Sequence, residues 1–569
     1  MTTDTDVIII GSGGGGAVAA KELGELGINV IVLEAGPWYG NKQWPVPNQD
    51  RGAQSSSSAD DLDIELLRKQ YTKYELTMND FQSGRFRWGP ADRKRPPWYR
   101  NIPKNGLIWQ TAGVGGTTQH YWANSPRAFQ SSVDGVWPIS YRELIPYYEK
   151  VEHTLPVRYA PTTPKEELFY YGAEKAGWSL MRTLDPTEPG YRPNPNAILQ
   201  TNEQLMDESV RLDDLSKMEG CTLCGHCING CPHGPSVDKV AKRSTLVSYI
   251  PLALQTEKVQ VRPNAFATKI LVENKPNGDF EAIGVRFRNT WTGETSELYA
   301  RVVIMAAGCI ETPRLWLNSD LPKNAWVGRG LTNHYWDWVA GVFDEKDLMR
   351  ILGRPHLYPY AGPTSGARLD YPGLGIIQPA GLSPGLFASL TFGFSQGGFD
   401  FLNDSSPTDP WDHRGRLVGK QMQEWMEQYP NTLGMIIFAD DQPHIKNGVT
   451  IDPNIKDEHG PVPRVQYSPS KQDRKKREEL AKIAAQILRE AGAKKITRTD
   501  WPAHLFTHIE STMRMGYVAD ENCEAYQVKR LFIADNSVHY NGAGGVNPTL
   551  TTQALATRTA EKIARKYFS

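Results

Sequence analysis

Residues Cys221 to Gly234 read CTLCGHCINGCPHG and hold four of the six cysteines in a chain of 569 residues. Cys221, Cys224, Cys227 and Cys231, the last followed by Pro232, give C-x2-C-x2-C-x3-C-P, the spacing of bacterial ferredoxins. A loop this compact lets several thiolates converge on one cluster while backbone N–H groups point at the sulfurs. Zinc sites more often use two short pairs separated by a longer stretch, and disulfides would require an oxidising compartment. The spacing therefore favours an iron–sulfur cluster over either alternative. With no second cysteine run, all four hold a [4Fe–4S] cluster or three hold a [3Fe–4S] cluster. Cys309 and Cys523 stand alone and read as structural thiols, and His226 and His233 as histidines at the loop's surface or margin.

A second chemical stretch opens the chain: DVIIIGSGGGGAVAAKELGELGINVIVLEAGP. Its order is strand, glycine turn, helix, strand. Gly11, Gly13 and Gly16 form G-x-G-x-x-G, which permits a tight turn and a close approach of backbone to a pyrophosphate at a helix N-terminus. Glu34, ending the second strand, is placed to bind ribose hydroxyls. The pattern predicts dinucleotide binding, and ARVVIMAAGCIETPRLWL repeats the theme with a second turn near Ala307 and Gly308. A flavin accepts two electrons as a hydride, whereas a cluster moves electrons singly. Together they imply a wire from substrate through flavin and cluster to an external acceptor.

The elements that must position these groups can be read coarsely. Val7–Ile10 is apolar and β-branched, as in a buried parallel strand. Residues 40–110 look irregular, with Ser55–Ser58, several prolines and many aromatics, and suggest an excursion or lid. Residues 141–153 and 238–256 read as helices. VQVRPNAFATKILVE (259–273) and EAIGVRFRN alternate like antiparallel strands. Residues 471–491 form an amphipathic helix with Leu480, Ile483, Ala484, Ile487, Leu488 and Ala491 on one face, and its Arg474–Arg477 run reads as a solvated face. A strand and turn (VKRLFIADNS) precede a closing helix. The chain is 39% apolar with a formal charge of −1, so no global field draws it to nucleic acid or an anionic membrane. MTTDT leads straight into VIII, so no signal peptide is expected. No apolar run approaches the roughly 20 residues that span a bilayer, and the chain itself is expected to be soluble.

These motifs, in this order, are similar to those of the glucose–methanol–choline (GMC) oxidoreductases: GSGGGG…LEAGP, TAGVGGTT (111–118), AAGCIETPRL, VGRGLTNH (327–334), HIESTMRMG (508–516) and NPTLTTQALA. The mid-chain cysteine loop resembles the catalytic subunits of bacterial FAD-dependent sugar dehydrogenases, and GGTTQHYW resembles pyranose oxidases and glycoside 3-oxidases. The resemblance implies a fold of class α/β plus α+β. A Rossmann-like FAD-binding domain is assembled from separated segments, with a substrate domain on an antiparallel sheet. The implied division is 1–156 (with the excursion 40–110), 157–334 (with the cysteine loop 221–231), 335–495 for substrate, and 496–569. It implies FAD rather than NAD, with Gly115, Gly116, His120, Ala267, Gly308 and Asn536 joining the glycine motif and Glu34 around it. His120 falls where pyranose oxidases carry a covalent bond to FAD, so both a covalent link and a plain contact stay open.

The family pattern H-x-x-G-T-x-x-M-G maps onto His508–Gly516, with Ser511 in place of the usual glycine, and the second catalytic position falls on Asn547. Alcohol oxidation requires a base at the hydroxyl proton while the C–H hydride leaves, and neutral histidine suits it. Read without the family, Asn547 before Pro548 would be a helix N-cap, and His504 would rival His508. HLFTH lacks further metal ligands. His539 and Asn541 are candidates for the pocket wall, and Trp336, Trp338, Tyr358, Tyr360 and Trp411 for stacking on a sugar ring, core packing being the alternative. The expected activity is dehydrogenation of a sugar or glycoside hydroxyl, with electrons leaving through the cluster. A peroxide-forming oxidase, a dehydrogenase of non-sugar alcohols and a non-catalytic electron-transfer subunit are the alternatives. The resemblance also implies a small partner subunit, a cytochrome or quinone acceptor, and a cytoplasmic or co-exported periplasmic location.

Overall fold

The computed structural model describes residues 3–42, 62–73, 82–83, 98–103, 106–199, 220–231, 240–276, 278–388, 390–391 and 406–569. The Ser55–Ser58 run and His233 lie outside the described residues.

Strand β1 (Thr5–Ile10) is apolar on both faces from Val7 onward and buried almost throughout, so it occupies a sheet centre rather than an edge. The glycine turn follows it and leads into helix α1 (Gly16–Glu25). β1 runs parallel to β2 (Val30–Leu33), with Val7 opposite Val30. β2 in turn runs parallel to β3 (Val259–Arg262). On its other side β1 pairs in parallel with β4 (Thr295–Met305), Ile10 opposite Met305. The short strand Leu531–Ile533 adds in parallel to the end of β4. Segments hundreds of residues apart thus place their carboxyl ends side by side.

Two expected elements are cut short. Residues 259–273 do not make one strand. At Asn264, buried with φ +55°, the chain turns, in a left-handed conformation that asparagine tolerates better than most residues. Val259–Arg262 stays with the parallel sheet, and Ala265–Asn274 turns away to pair antiparallel with Phe280–Asn289. Residues 238–239 lie outside the described residues; over 240–256 the expected helix is confined to α2 (Tyr249–Gln255), after a single 3-10 turn at Thr245–Val247. The cause is Lys242. Its ammonium donates to the carbonyls of Gln119 (2.7 Å), Tyr121 (3.1 Å) and Cys227 (2.5 Å), which holds 240–244 out of helical register.

The second layer is a seven-stranded sheet. β5 (Trp336–Val342) lies between β8 (Thr432–Ala439) and β9 (Lys495–Arg498); β8 pairs onward with β7 (Gly375–Ala380), and β7 with β6 (Ala367–Tyr371). All these pairs are antiparallel, and Gly190–Pro193 and His413–Arg414 complete the edges, the latter in parallel with β9. β8 shows the period-2 logic of a strand buried on both faces. Ile436 and Phe438 face the parallel-sheet layer, and Leu433, Met435, Ile437 and Ala439 face the other way.

Helix α3 (Lys471–Glu490) backs that second face through Leu480, Ala481, Ala484, Ile487 and Leu488, started by a reciprocal Ser470–Asp473 capping box. Its basic run divides. Arg474 and Lys475 face solvent, but Lys476 pairs with Asp440 at 2.9 Å, and buried Arg477 donates to the Trp501 carbonyl at 2.6 Å. Arg477 lies three and four residues before Leu480 and Ala481, hence on the buried side. Helix α4 (Thr549–Tyr567) closes the fold against α1 and Tyr141–Thr154, a helix the sequence expects. Among the described residues no helix is long and apolar enough to cross a membrane.

Candidate active site

The carboxyl ends of the parallel strands open into one cavity. Gly11, Gly13, Gly14 and Gly15 after β1, Glu34 after β2, Ala306–Gly308 after β4, and Asp535 and Asn536 after Leu531–Ile533 all line it. This is the end of an open parallel sheet where nucleotides bind. Trp336, Ile436 and Phe438 of the antiparallel sheet form part of the facing wall, and Ala267, Gly116, His120, His508 and Asn547 also line it.

The glycines divide by task. Gly11 has φ +99°, and a Cβ there would sit 2.3 Å from the Ala306 carbonyl oxygen. Gly16 does not line the cavity; its Cβ would fall 2.0 Å from the Gly11 oxygen, so it serves the close packing of α1 on the turn. Gly116 reaches the cavity. Gly115 sits behind it, its N–H donating to Ser12 Oγ at 3.2 Å. Gly308 lines the cavity while its N–H donates to Asp535 Oδ2 at 2.9 Å. Glu34 is more heavily engaged than a simple ribose ligand would be. It accepts from Ser12 N, Ser12 Oγ, Gly36 N and Gly113 N at 2.7 to 3.0 Å, so it also ties three turns together. Burial nevertheless pushes its pKa up.

An open glycine backbone at a helix N-terminus, an acid at the end of β2 and a cradle that side chains would fill together fit FAD. Gly11 to Gly15 would receive its phosphates and Glu34 its ribose. His120 lies in the wall, buried, its pKa pulled well down by burial and by the Lys242 ammonium.

His508 and Asn547 meet at this cavity, His508 Nε2 lying 3.3 Å from Asn547 Nδ2. Asn547 is not a helix cap: Pro548 holds the N-cap position of α4 and no side chain bonds there. Instead, Asn547 Oδ1 accepts from Gln378 Nε2 of β7 at 3.0 Å and from Arg368 Nη1 of β6 at 3.4 Å. Burial, with His334 and Arg368 nearby, holds the His508 pKa well below its usual value. Burial therefore favours the neutral imidazole. Ser511 takes φ +71°, which explains the glycine usual there: serine occupies a left-handed position.

His504 is outside the cavity lining. His539 and Asn541 stand behind it, His539 on Glu510 (3.0 Å) and Asn541 on the Trp137 indole N–H (3.0 Å). Of the five aromatics proposed for a sugar platform, Trp336 alone lines the cavity. Trp338 stacks on Trp501, Trp411 lies under Arg498, and Tyr358 and Tyr360 are exposed. Sequence reasoning missed Phe438, Gln378 and Arg368. They are strand residues with no motif around them, and only sheet pairing carries them to the site.

The six cysteines form no disulfide. Cys221, Cys227 and Cys231 are buried and Cys224 partly so. Burial and the neighbouring thiols push the Cys221 and Cys224 pKa values up, and that of Cys231 to about 11. The donor type and spacing suit an iron–sulfur cluster. However, among the described residues no three His, Cys, Asp or Glu side chains are gathered closely enough to hold one metal ion. Cys309 donates to the Ile509 carbonyl and Cys523 is buried, as structural thiols would be.

A glycine cradle for FAD facing a neutral histidine–asparagine pair defines a flavin-dependent oxidoreductase of CH–OH groups. Comparison with known proteins agrees. Residues 191–336 and 443–556 match the two models of the GMC oxidoreductase family, and 4–42 match an FAD-binding domain. The chain belongs to the GMC oxidoreductase family. It is 25% identical to 2-methyl-1,2-propanediol dehydrogenase of Mycolicibacterium austroafricanum, over 100% of this chain and 97% of that one. It is 26% identical to 6'''-hydroxyparomomycin C oxidase of Streptomyces lividus (98% and 91% covered). To the fructose dehydrogenase large subunit of Gluconobacter japonicus it is 24% identical (99% and 98% covered). Among solved structures, pyridoxine 4-oxidase from Mesorbium loti superposes with a TM-score of 0.59 at 12% identity, covering 99% of this chain and 100% of that one, which speaks to the fold.

Proposed function

We propose that this GMC oxidoreductase is a dehydrogenase of a sugar or glycoside hydroxyl whose electrons leave through an iron–sulfur cluster on the 221–231 loop. The observation that carries the hydroxyl chemistry is the His508–Asn547 pair at the cavity shared by both sheets. FAD, when bound, supplies the acceptor for the substrate hydride. The chain's own residues do the rest. His508 Nε2 takes the hydroxyl proton. The Asn547 amide, oriented by Gln378 and Arg368, holds the alcohol oxygen without competing for that proton. Trp336 and Phe438 give the cavity apolar faces that exclude water and suit the C–H side of a sugar ring.

The cluster reading is supported by the four-cysteine spacing and by the loop's place. The Ile228 backbone hydrogen-bonds the ring of cavity-lining His120, and Lys242 ties Cys227 to the Gln119–Tyr121 turn. A small partner subunit and a cytochrome or quinone acceptor belong to the same proposal. Because the Streptomyces lividus relative is an oxidase, peroxide formation is the second reading.

The test is anaerobic titration with free sugars, glycosides and simple alcohols, following flavin absorbance, with iron and sulfide assayed on the same sample. Bleaching by sugars, with slow oxygen uptake, supports the dehydrogenase. Bleaching by non-sugar alcohols alone removes the substrate class, and fast peroxide formation selects the oxidase. A chain isolated under anaerobic conditions without iron or sulfide removes the cluster.

A further inference from the structure

Behind His508 lies a buried chain of polar groups that does not reach the cavity. His334 Nδ1 sits 3.2 Å from His508 Nδ1. On its far side, His334 Nε2 is 2.7 Å from the Gly542 carbonyl and 3.1 Å from Glu510 Oε1. His334 and Glu510 are fully buried.

The backbone here is built to hold this histidine. His334 takes φ +50°, a strained conformation for a residue with a side chain. Asp441 clamps it by accepting the His334 and Asn333 N–H groups at 2.8 Å each, and is itself held by the Tyr467 hydroxyl at 2.6 Å. Thr332 and Glu510 exchange both backbone hydrogen bonds at 3.2 Å, which fixes the carboxylate relative to the ring. A Cβ at Gly542 would lie 2.9 Å from His334 Nε2, so a glycine there makes room for the ring.

The hydrogen-bond roles follow from one unambiguous donor. Arg368 can only donate, so Asn547 Oδ1 is an acceptor and Asn547 Nδ2 a donor. His508 Nε2 must then present its lone pair, and neutral His508 carries its proton on Nδ1. That proton points at His334 Nδ1, which accepts it. His334 therefore carries its own proton on Nε2, facing Gly542 and Glu510. Every atom in the chain has one consistent role.

Resting on the reading of His508 as the base, we propose that His334 and Glu510 form an internal proton acceptor that takes the positive charge from His508 during alcohol oxidation. With FAD bound, which would accept the C–H electron pair as hydride, the hydroxyl proton would go to His508 Nε2. The His508 Nδ1 proton passes to His334 Nδ1. His508 ends neutral with its proton on Nε2, and the charge rests on a His334 imidazolium beside the Glu510 carboxylate. His334 is a positioning and relay residue; it does not touch substrate. The directions of titration agree: Glu510 and Asp441 raise the His334 pKa against burial, while burial, His334 and Arg368 lower that of His508. The groups facing the pair are Glu510, Asp441 and Arg368, with His539 on the far side of Glu510.

A free enzyme that already carries a proton on His334 cannot work. Its Nδ1–H would force the His508 proton onto Nε2, where no lone pair remains for the alcohol. The acid limb of the rate profile should therefore report the His334-centred pair, activity rising as that proton leaves.

The experiment uses the FAD-loaded enzyme and the pH dependence of anaerobic flavin reduction by a bleaching alcohol. His334→Gln should lower the maximal reduction rate by about tenfold or more with little change in KM, and move the acid limb to lower pH, because the His334 imidazole no longer titrates. Glu510→Gln should move the limb the same way, and the double variant should be no slower than the slower single one. A limb that stays in place in a variant with full FAD content overturns the relay. If the variants do not fold, nitrogen-15 shifts of labelled histidine in the unaltered enzyme decide the question: His508 protonated on Nδ1 supports the relay, and protonation on Nε2 overturns it. If no alcohol bleaches the unaltered enzyme, the function reading is what fails, and the tautomer measurement still tests the chain.

Discussion

Gly15 gives the sharpest test of how the glycine turn works. In G-x-G-x-x-G it is an unspecified position. In the fold, a Cβ on Gly15 would sit 1.6 Å from the Ala534 carbonyl oxygen and 2.7 Å from its carbon. An ordinary carbon–oxygen approach is about 3.3 Å, so α1 and the turn after Leu531–Ile533 would have to part by about 1.7 Å. Both sides of the clash are backbone, and no side chain can rotate away. Overpacking in a tight core costs about 1–3 kcal/mol, and Gly15→Ala belongs at the upper end of that range. The same displacement carries Asp535 and Asn536, which line the cavity, away from the glycine turn. The neighbouring Gly14 is the internal control: its Cβ would meet only side-chain methyls at 3.6 and 3.8 Å. The assay is flavin content per chain after purification, with thermal melting of the apoprotein. Gly15→Ala should lose most of its FAD and melt several degrees lower, while apo Gly14→Ala melts like the parent. A Gly15→Ala protein that keeps its flavin and its melting temperature would refute the packing argument.

Other outcomes follow from the site. Asn547→Ala removes the amide next to His508 and leaves Gln378 and Arg368 without their shared acceptor; substrate-driven flavin reduction should slow by about a hundredfold, checked by stopped flow. Ser511→Gly relieves a left-handed serine, against a strain of roughly 1–2 kcal/mol partly offset by glycine's freedom in the unfolded chain, so the melting temperature should rise slightly without loss of activity. Burial pushes Asp441 up from 3.8 to about 6. The folded state therefore holds that proton more tightly, and the stability it brings is full below pH 3.8 and lost as pH rises through about 6. Asp441→Asn should flatten denaturant stability across that window, and an unchanged slope would count against the assignment.

Much of the site was legible because its signals are local. The β1–turn–α1 unit, Glu34 and the Ala307–Gly308 turn could be read because strand and helix periods and glycine placement act within a few residues. Ala267 and Asn536, taken from family resemblance, also line the cavity. Local reading failed where a distant partner decided the outcome. Residues 240–244 are unwound by carbonyls of two other segments gripping Lys242. The 259–273 stretch is split because β2 claims its first half. Arg477 is buried because α3 turns it inward with Leu480 and Ala481.

The sequence by itself determined the cofactor turn and the cysteine spacing, since each depends on residue type at short range; His508 and Asn547 became candidates through the resemblance to the GMC family. The tertiary structure alone decided what those residues face. Parallel pairing brought the ends of β1, β2, β4 and Leu531–Ile533 to one cavity. Antiparallel register placed Arg368 and Gln378 on Asn547. A strained loop clamped by Asp441 set His334 behind His508. Hydrogen-bond direction and proton position are properties of such long-range neighbours, and no spacing within a single segment encodes them.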